Sequence, residues 1–288
     1  MSKPNGLQTK IFLDSGDPAE TKEIIDILGF LDGQTTNPTL VAKNPYAQER
    51  FASGDKFSKT EIFDFYKQVV SDISALVPHG SVSIEVYGDA DTTADAMFAQ
   101  GQDMFTWIPN AHVKYPIVAA GLEAAQRSIA AGMRVNMTLC FSQQQAAAVY
   151  AATSGAVPGQ VFVSPFIGRL DDIGLDGMSF IGNVLRMFED SDHHAQVLSA
   201  SARTKEHFMQ CLALKSDLIT APYAVLKAWG EAGMPLPDAT YVYDPKELQQ
   251  MPFETVELTK DWNQYDIQHE LTDKGLVKFA ADWNGLTA

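Results

Sequence analysis

AHVKYP, residues Ala111–Pro116, has the composition of a short buried strand, with the charged residue Lys114 in its middle and Pro116 at its end. A lysine in a core strand must pair with an acid, reach solvent or give up its proton, because an isolated buried charge is costly. Burial lowers the pKa of an amine, and a neutral amine can attack a ketone to form a Schiff base. The alternative is an edge strand, in which a lysine discourages pairing with another chain. The hexapeptide alone favours the edge strand, and the surrounding sequence has to decide.

Strand-like and helix-like segments alternate on both sides of this stretch. We predict eight strands, at residues 10–14, 31–36, 81–87, 111–115, 133–139, 160–164, 196–200 and 217–220. Helical patterns follow them, at residues 18–28, 60–76, 92–100, 117–131, 143–152, 177–189, 204–214 and 223–232. Eight such units favour an α/β fold of the (β/α)8 TIM barrel type over an open doubly wound sheet. No GxGxxG motif follows the first strand, so a dinucleotide site has no support.

Two segments are longer than a minimal barrel needs. Residues 44–59 are polar and are expected to add helical turns before the third strand. Residues 234–288 form a C-terminal extension that ends in a predicted helix at 270–283, with an apolar stripe of Leu271, Leu276, Phe279 and Trp283. We expect one domain over residues 1–288, with the extension packed on the barrel. The same stripe could instead make a homodimer contact.

Composition and charge limit the classes of function. The chain has 288 residues, of which 45% are hydrophobic and 20% charged, as in a globular protein. No apolar run reaches the length of a membrane span and the polar start lacks a secretory core, so we expect a cytoplasmic protein. Cys140 and Cys211 form no CxxC motif, which argues against a disulfide scaffold or a zinc site.

The charge balance is strongly acidic. The net charge is −15, with 36 acidic and 21 basic residues, which argues against nucleic acid or an anionic membrane as a partner. An acidic surface also repels anionic substrates at long range. A phosphate ester could therefore bind only where a few arginines create a local positive site.

Alternation along three strands sends polar side chains into the predicted barrel. The inward sets are Ser81, Ser83, Glu85 and Tyr87 on the third strand, Arg134, Asn136, Thr138 and Cys140 on the fifth, and Ser199, Ser201 and Arg203 on the seventh. A single inward hydroxyl or amide is usually a satisfied core group. Three polar strands beside Lys114 are harder to explain in this way, because barrel interiors are normally filled by branched apolar residues. The pattern indicates a binding site.

Other polar residues stand at the carboxyl ends of predicted strands, where barrel active sites lie. Asp14 ends the first strand, and Thr35 to Pro38 end the second; both positions are equally suited to starting a helix. Ser164 and Arg169 follow the sixth strand. Arg169 and Arg203 would supply the local positive site that a phosphate requires, since arginine suits its geometry.

These motifs resemble those of the transaldolase family. DGQTTNPTL at residues 32–40 is similar to the family's second-strand motif, and LDSGD at 13–17, IEVYG at 84–88, VNMTLCFS at 135–142, SPFIGR at 164–169 and SASAR at 199–203 match in order and spacing. The motifs span residues 10–222, and HELTDKGLVKFAADW at 269–283 resembles the family's C-terminal helix.

The resemblance implies a barrel that is circularly permuted relative to other class I aldolases. It implies a transfer without cofactor or metal, in the pentose phosphate pathway, of a dihydroxyacetone unit through a lysine Schiff base. The donor would be sedoheptulose 7-phosphate or fructose 6-phosphate, and the acceptor glyceraldehyde 3-phosphate or erythrose 4-phosphate.

The resemblance also implies a role for each matching residue. Lys114 would form the Schiff base, and Asp14 would take the proton of the C4 hydroxyl. Glu85 and Thr138 would hold a water for proton transfers. The remaining matches would bind substrate: Asn37 and Asn136 the dihydroxyacetone hydroxyls, Arg169, Ser201 and Arg203 the phosphate, and Thr35 and Ser164 the pocket wall.

The sequence that follows the lysine departs from the family pattern at two positions. The family usually has a small aliphatic residue where this chain has Tyr115, and a hydroxyl residue where it has Val118. By alternation Tyr115 faces the helices, so we expect it to affect packing rather than chemistry.

Three alternatives stay open at the level of sequence. Fructose 6-phosphate aldolase shares the fold and the lysine, but it tends to have Tyr where this chain has Phe166. A non-catalytic sugar-phosphate-binding barrel would have lost Lys114, Asp14 or Glu85, and all three are present. A metal-dependent aldolase or isomerase could use Asp171, Asp172 and Asp176 or the pair His193–His194, but neither group has a convincing ligand spacing.

Overall fold

The computed structural model describes residues 2–288, and its centre is a closed barrel of eight parallel strands. The barrel strands follow one another in chain order: β1 (Lys10–Asp14), β2 (Gly33–Thr35), β3 (Ser81–Glu85), β4 (Ala111–Pro116), β5 (Val135–Cys140), β6 (Val161–Pro165), β8 (Ala195–Ser199) and β9 (Leu218–Ala221). Pairing of β1 with β9 closes the barrel. The predicted (β/α)8 TIM barrel is therefore confirmed.

Helices cover the outside of the barrel. They are α1 (Pro18–Leu28), α2 (Pro38–Ala42), α3 (Pro45–Ser53), α4 (Lys59–Leu76), α5 (Ala94–Phe105), α6 (Ala119–Ala130), α7 (Gln143–Ala152), α8 (Ile167–Asp171), α9 (Gly177–Met187), α10 (Lys205–Ala213), α11 (Tyr223–Glu231) and α12 (Glu270–Leu286). The expected extra helical turns before the third strand are α3. Sequence periodicity missed the five-residue helices α2 and α8, and also the two-residue strands β7 (Leu175–Asp176) and β10 (Gln249–Gln250), which pair with each other.

Aromatic rings fill the amino-terminal half of the barrel interior. Phe12 meets Phe162 edge-to-face at 6.0 Å between ring centroids, and His112 stacks on Phe162 at 4.2 Å. Gly33 makes room for these rings, since a Cβ there would lie 2.5 Å from Phe12 Cζ. Two residues further along these four strands come Asp14, Thr35, Lys114 and Ser164, which form a polar layer above the ring layer. The barrel interior thus has an aromatic layer at its amino-terminal end and a polar chamber at its carboxyl end.

The C-terminal extension packs over the open end of this chamber. Leu271, Leu276, Phe279 and Trp283 are buried, as the apolar stripe predicts. The Thr272 hydroxyl donates to the Leu139 carbonyl at 2.9 Å, and the last residues pair with Phe57, whose N–H donates to the Leu286 carbonyl at 2.9 Å. These contacts support our proposal that barrel and extension form one domain.

Buried glutamines of α7 hold the irregular part of the extension. Gln143 donates to the Glu254 carbonyl at 2.9 Å and accepts from the Glu254 N–H at 2.7 Å. Gln145 donates to the Ile267 carbonyl at 3.0 Å and to the Thr272 hydroxyl at 2.8 Å. Side-chain amides here replace the ladder hydrogen bonds that the extension's backbone lacks.

Helix α6 begins without a side-chain cap, because Val118 occupies its N-cap position. Val118 has extended backbone angles, φ −125° and ψ 165°, which suit a capping residue. We expect Val118→Thr to raise the free energy of unfolding by about 1 kcal/mol, since its hydroxyl can accept an N–H of the first turn. Urea denaturation measures the change. Ala119→Ser, which puts a hydroxyl one residue inside the helix, should give no such gain; equal or lower stability of Val118→Thr would contradict the prediction.

Candidate active site

Lys114 lies in the middle of β4, buried and facing the barrel interior. It is in register with Glu85 on β3 and with Asn136 on β5. Its Nζ atom lies 2.8 Å from Glu85 Oε2, and both side chains are less than 5% exposed. A closed barrel has no edge strand, so the edge-strand interpretation of this lysine is wrong. The lysine has an acid partner within a polar chamber instead.

Asp14 stands beside this pair at the carboxyl end of β1. The cap of helix α1 is Asp17, whose carboxylate accepts the Ala19 N–H at 2.8 Å, so Asp14 is not needed to start that helix. The Thr35 hydroxyl donates to Asp14 Oδ1 at 2.6 Å, and Thr220 Oγ1 lies 2.6 Å from the same hydroxyl. Burial raises the pKa of Asp14, although the charge of Lys114 and the hydrogen bond from Thr35 both oppose the shift.

Glu85 and Thr138 carry buried polar atoms that lack a hydrogen-bond partner. Within residues 2–288, neither Glu85 Oε2 nor Thr138 Oγ1 has an aligned hydrogen bond to protein, and the contact of Glu85 with Lys114 is an ion pair. Burial raises the pKa of Glu85, with Lys114 as the main opposing charge. Buried polar atoms are normally hydrogen-bonded, so the Thr138 hydroxyl is available to a molecule that enters the chamber, whereas Glu85 Oε2 already contacts Lys114.

The two asparagines predicted at the site are held in different ways. Asn136 donates to Ser83 Oγ at 3.0 Å and accepts from the Ser164 hydroxyl at 2.6 Å, which fixes its amide on the strand next to the lysine. Asn37 caps helix α2, since its Oδ1 accepts the Leu40 N–H at 2.9 Å. The helix-start interpretation is therefore correct for Asn37, and it leaves the amide NH2 group of Asn37 free to donate into the chamber.

A cavity of about 220 Å³ opens above these residues. Its walls contain five cationic side chains and one carboxylate, and are made by Asp14, Thr35, Asn37, Thr39, Leu40, Lys43, Lys114, Ser164, Phe166, Arg169, Ala200, Ser201, Arg203, Thr220, Lys278 and Phe279. In a chain of net charge −15, this concentration of positive charge marks a site for an anionic ligand.

The two predicted arginines both reach this cavity. The Arg169 guanidinium lies between two rings, 5.4 Å from the centroid of Phe166 and 5.3 Å from that of Phe279. Arg203 comes from the loop after β8. Backbone bonds from Ile167 N–H to the Ala200 carbonyl, at 3.0 Å, and from Gly168 N–H to the Ser201 carbonyl, at 3.1 Å, hold the two segments side by side.

Strict alternation gave the wrong face for Ser199 and Cys140. Ser199 faces the helices, where its Oγ lies 2.8 Å from Ser216 Oγ, and Cys140 lies in register with Pro165 rather than with the inward Ser164. The cause is left-handed backbone: φ is 62° at Leu139 and 56° at Ser201. The left-handed conformation of Ser201 interrupts the two-residue period. Ser201 and Arg203 therefore line the cavity, although Ser199 faces the helices.

Several cavity residues were not predicted. Thr220 ends the eighth predicted strand, and its alternation could have identified it. Lys43 follows α2, and Lys278 and Phe279 belong to α12, so their positions depend on how helices pack on the barrel. Phe279 covers the site, with its ring centroid 6.0 Å from Lys114 Nζ.

Tyr115 faces the helices, as alternation predicts. It is fully buried, and its hydroxyl lies 3.0 Å from Ser128 Oγ on α6. Gly101 on α5 leaves the space for the phenol ring. Burial raises the pKa of Tyr115 to about 12. This departure from the family pattern therefore changes the packing between strand and helices and leaves the chamber untouched.

No group of three or more His, Cys, Asp or Glu side chains within residues 2–288 is arranged to hold a metal ion. No helix in the same range has the length and apolar character needed to cross a membrane. The thiols of Cys140 and Cys211 are both free and buried.

Fold and site together define a (β/α)8 barrel with a buried lysine and carboxylate pair under a cationic cavity, at the carboxyl ends of the strands. The chain belongs to the transaldolase/fructose-6-phosphate aldolase family, whose model matches residues 11–288. The resemblance seen in the motifs is thus confirmed.

Relatives from three bacteria are similar over nearly their whole length, and each is named "Probable transaldolase". The chain is 35% identical over 277 residues to the protein of Dehalococcoides mccartyi, covering 96% of this chain and 99% of the relative. It is 34% identical over 274 residues to the protein of Paracoccus denitrificans, covering 95% and 96%. It is 36% identical over 274 residues to the protein of Maricaulis maris, again covering 95% and 96%.

Proposed function

We propose that this protein is a transaldolase that moves a dihydroxyacetone unit from a ketose phosphate to an aldose phosphate through a Schiff base on Lys114. The observation that carries the proposal is the burial of Lys114 in a central barrel strand, 2.8 Å from Glu85 and facing the cationic cavity. Membership of the family and the names of the relatives support it. Sedoheptulose 7-phosphate and fructose 6-phosphate are the donors we propose, which would place the reaction in the pentose phosphate pathway.

The first chemical step joins the Lys114 amine to the ketose carbonyl. The amine must lose a proton before it attacks, and water must leave before the imine forms. Glu85 is the group placed to accept that proton, because its carboxylate touches the lysine and burial raises its pKa. The Thr138 hydroxyl, which lacks a hydrogen-bond partner, and the Glu85 carboxylate would bind the water that carries protons to and from the reacting carbon.

The second step breaks a carbon–carbon bond. Asp14 takes the proton of the C4 hydroxyl, the bond between C3 and C4 breaks, and its electrons move into the protonated imine. An aldose phosphate leaves, and the dihydroxyacetone unit stays on Lys114 until it adds to a second aldose phosphate. The raised pKa of Asp14 makes it a stronger base than an exposed carboxylate would be. Thr35 holds the carboxylate by a hydrogen bond of 2.6 Å.

The remaining predicted residues would hold the sugar. Asn37 lines the cavity, and Asn136 is in register with the lysine on the next strand. Their amides would bind the dihydroxyacetone hydroxyls, since an amide both donates and accepts. Arg169, Ser201 and Arg203 would bind the phosphate, and Ser164 and Thr35 form the wall between. Phe166 puts an apolar ring in this wall, which favours transfer over the aldolase reaction, because it brings no hydroxyl that could protonate the bound carbanion.

Borohydride trapping tests the proposal directly. The protein is incubated with fructose 6-phosphate, reduced with sodium borohydride and digested, and the modified peptide is identified by mass. We expect a reduced dihydroxyacetone adduct on Lys114 and none in Lys114→Met. Lys43→Met is the matched control, because Lys43 lies in the same cavity and its loss should leave the adduct in place.

Folding must be checked in the same experiment, since Lys114→Met leaves Glu85 without its cation. Circular dichroism and binding of inorganic phosphate report whether the variant keeps its structure. An adduct on Lys43 or Lys278, or no adduct in a folded wild-type protein, would reject the Schiff base on Lys114. Appearance of free dihydroxyacetone at the same rate without acceptor would favour the aldolase reaction.

A further inference from the structure

The cations of the cavity differ in whether a carboxylate already neutralises them. Lys114 pairs with Glu85, Lys278 with Asp282 at 2.9 Å, and Arg203 with Asp172 at 2.6 Å. Within residues 2–288, Arg169 has no ion pair and is held by aromatic rings instead. The two arginines proposed for the phosphate are therefore not equivalent: one is free of acids and the other is occupied.

The contact between Arg203 and Asp172 has the geometry that a phosphate would use. Arg203 Nη1 donates to Asp172 Oδ1 at 2.6 Å, and Nη2 donates to Oδ2 at 2.8 Å. This parallel pair of bonds uses the end of the guanidinium fork, which is the face that recognises carboxylates and phosphates. A phosphate cannot make the same two bonds while Asp172 holds them.

The backbone around Arg203 stays in place by other contacts. The Arg203 side chain lies against Gly168, where a Cβ would be only 2.4 Å from Arg203 Nε. The Arg203 N–H donates to His207 Nδ1 at 3.3 Å, and His207 Nε2 lies 2.9 Å from Asp171 Oδ2. These contacts position the Arg203 backbone and the inner part of its side chain, and none of them involves Asp172.

We infer that Asp172 competes with the substrate's phosphate for Arg203. Asp172 must release the guanidinium when a phosphorylated sugar binds there. This inference rests on the proposed sugar-phosphate function. Both side chains are about half exposed, 47% for Arg203 and 55% for Asp172, so the carboxylate can move into solvent. Phosphate binding at Arg203 is then an exchange of anions, which weakens the affinity for phosphorylated sugars and speeds release of the phosphorylated product. Asp172 thus acts on specificity through Arg203 and does not touch the reacting atoms.

Asp172→Asn removes the competing charge and keeps the shape of the side chain. We expect it to lower the KM for fructose 6-phosphate roughly two- to fivefold, the range for a half-exposed ion pair. The KM for unphosphorylated fructose should not change. Inorganic phosphate, titrated at constant ionic strength and followed by the rise in Tm, should bind tighter by the same factor.

Two further variants separate this role from others. Asp171→Asn removes one negative charge at the preceding residue, whose carboxylate contacts His207 and not Arg203. It should change phosphate affinity much less than Asp172→Asn does. In an Arg203→Gln background, Asp172→Asn should give no gain. Weaker phosphate binding in Asp172→Asn, an effect equal to that of Asp171→Asn, or a gain that persists without Arg203 would each overturn the inference. Phosphate binding is measured without turnover, so failure of the Lys114 adduct remains a separate result.

Discussion

Asp14→Asn is expected to lower transaldolase activity about 10²- to 10⁴-fold, the usual contribution of a general base, and to raise the stability of the protein at neutral pH. The asparagine keeps an oxygen that can accept the Thr35 hydroxyl, now at 2.6 Å from Asp14. In the proposed mechanism, it loses the ability to take the proton of the C4 hydroxyl. The loss should appear in kcat and in kcat/KM alike.

The gain in stability follows from the sign of the pKa shift. Folding raises the pKa of Asp14 above its ordinary value of 3.8, so the folded protein holds the Asp14 proton more tightly than the unfolded chain. Asp14 therefore favours the folded state fully only below that ordinary value. This contribution is lost as pH rises through the raised pKa, and at neutral pH the ionised group costs stability that asparagine does not. The stability difference between variant and wild type should grow over this window and be constant above it.

Urea denaturation from pH 4 to 8, together with the pH profile of kcat/KM, measures both effects. The acidic limb of the wild-type profile should lie above the range of an exposed aspartate. Asp17→Asn is the matched control, because asparagine is an equally good helix cap and Asp17 does not face the cavity. It should leave the activity unchanged. An Asp14→Asn variant less stable than wild type at neutral pH, or one that keeps most of its activity, would contradict the assignment.

Gly101→Ala is expected to lower the free energy of unfolding by about 2–3 kcal/mol, although alanine is the better helix former. A Cβ at this position would lie 1.8 Å from the Tyr115 hydroxyl oxygen and 2.8 Å from Tyr115 Cζ. The ring cannot withdraw, because Tyr115 is fully buried in β4 and its hydroxyl meets Ser128 on α6. Overpacking of this kind forces helix α5 away from the barrel.

A double-mutant cycle identifies the clash as the cause. Tyr115→Val should destabilise by itself through the cavity it leaves, but Gly101→Ala should cost much less in that background, with a coupling above about 1 kcal/mol. Gly182→Ala on α9 is the matched control, since a Cβ there would meet only Leu214, at 4.0 Å. It should be neutral or stabilising. Additive effects of the two substitutions at positions 101 and 115 would show that the tyrosine is not the obstacle.

Much of the barrel and of its site could be predicted because both depend on a two-residue period within short strands. The ring layer of Phe12, His112 and Phe162 and the polar layer above it are one repeat apart, so alternation places Asp14, Lys114 and Ser164 on the correct side. The two-residue alternation does not show at which residue of a strand it ends. It failed at the left-handed residues Leu139 and Ser201, where a non-glycine residue adopts a conformation that no local pattern announces.

Contacts between segments far apart in the chain could not be predicted from the sequence, for a different reason. Lys278 and Phe279 join the cavity only because α12, nearly the whole chain away from β1, packs across the open end of the barrel. The pair Arg203 and Asp172 links two loops that the sequence separates by 31 residues. Helical periodicity predicts that α12 has an apolar face, but it does not say which surface that face covers.

The aromatic layer at the amino-terminal end of the barrel has a consequence for the order in which substrates bind and leave. Phe12, His112 and Phe162 fill the amino-terminal end of the interior, and the cavity above Lys114 lies at the carboxyl end, so the proposed substrates would enter and leave on that side. In the proposed transfer, the first aldose phosphate would have to leave before the second could take its place. The two half-reactions would then alternate at Lys114, and an excess of acceptor would delay binding of the next donor.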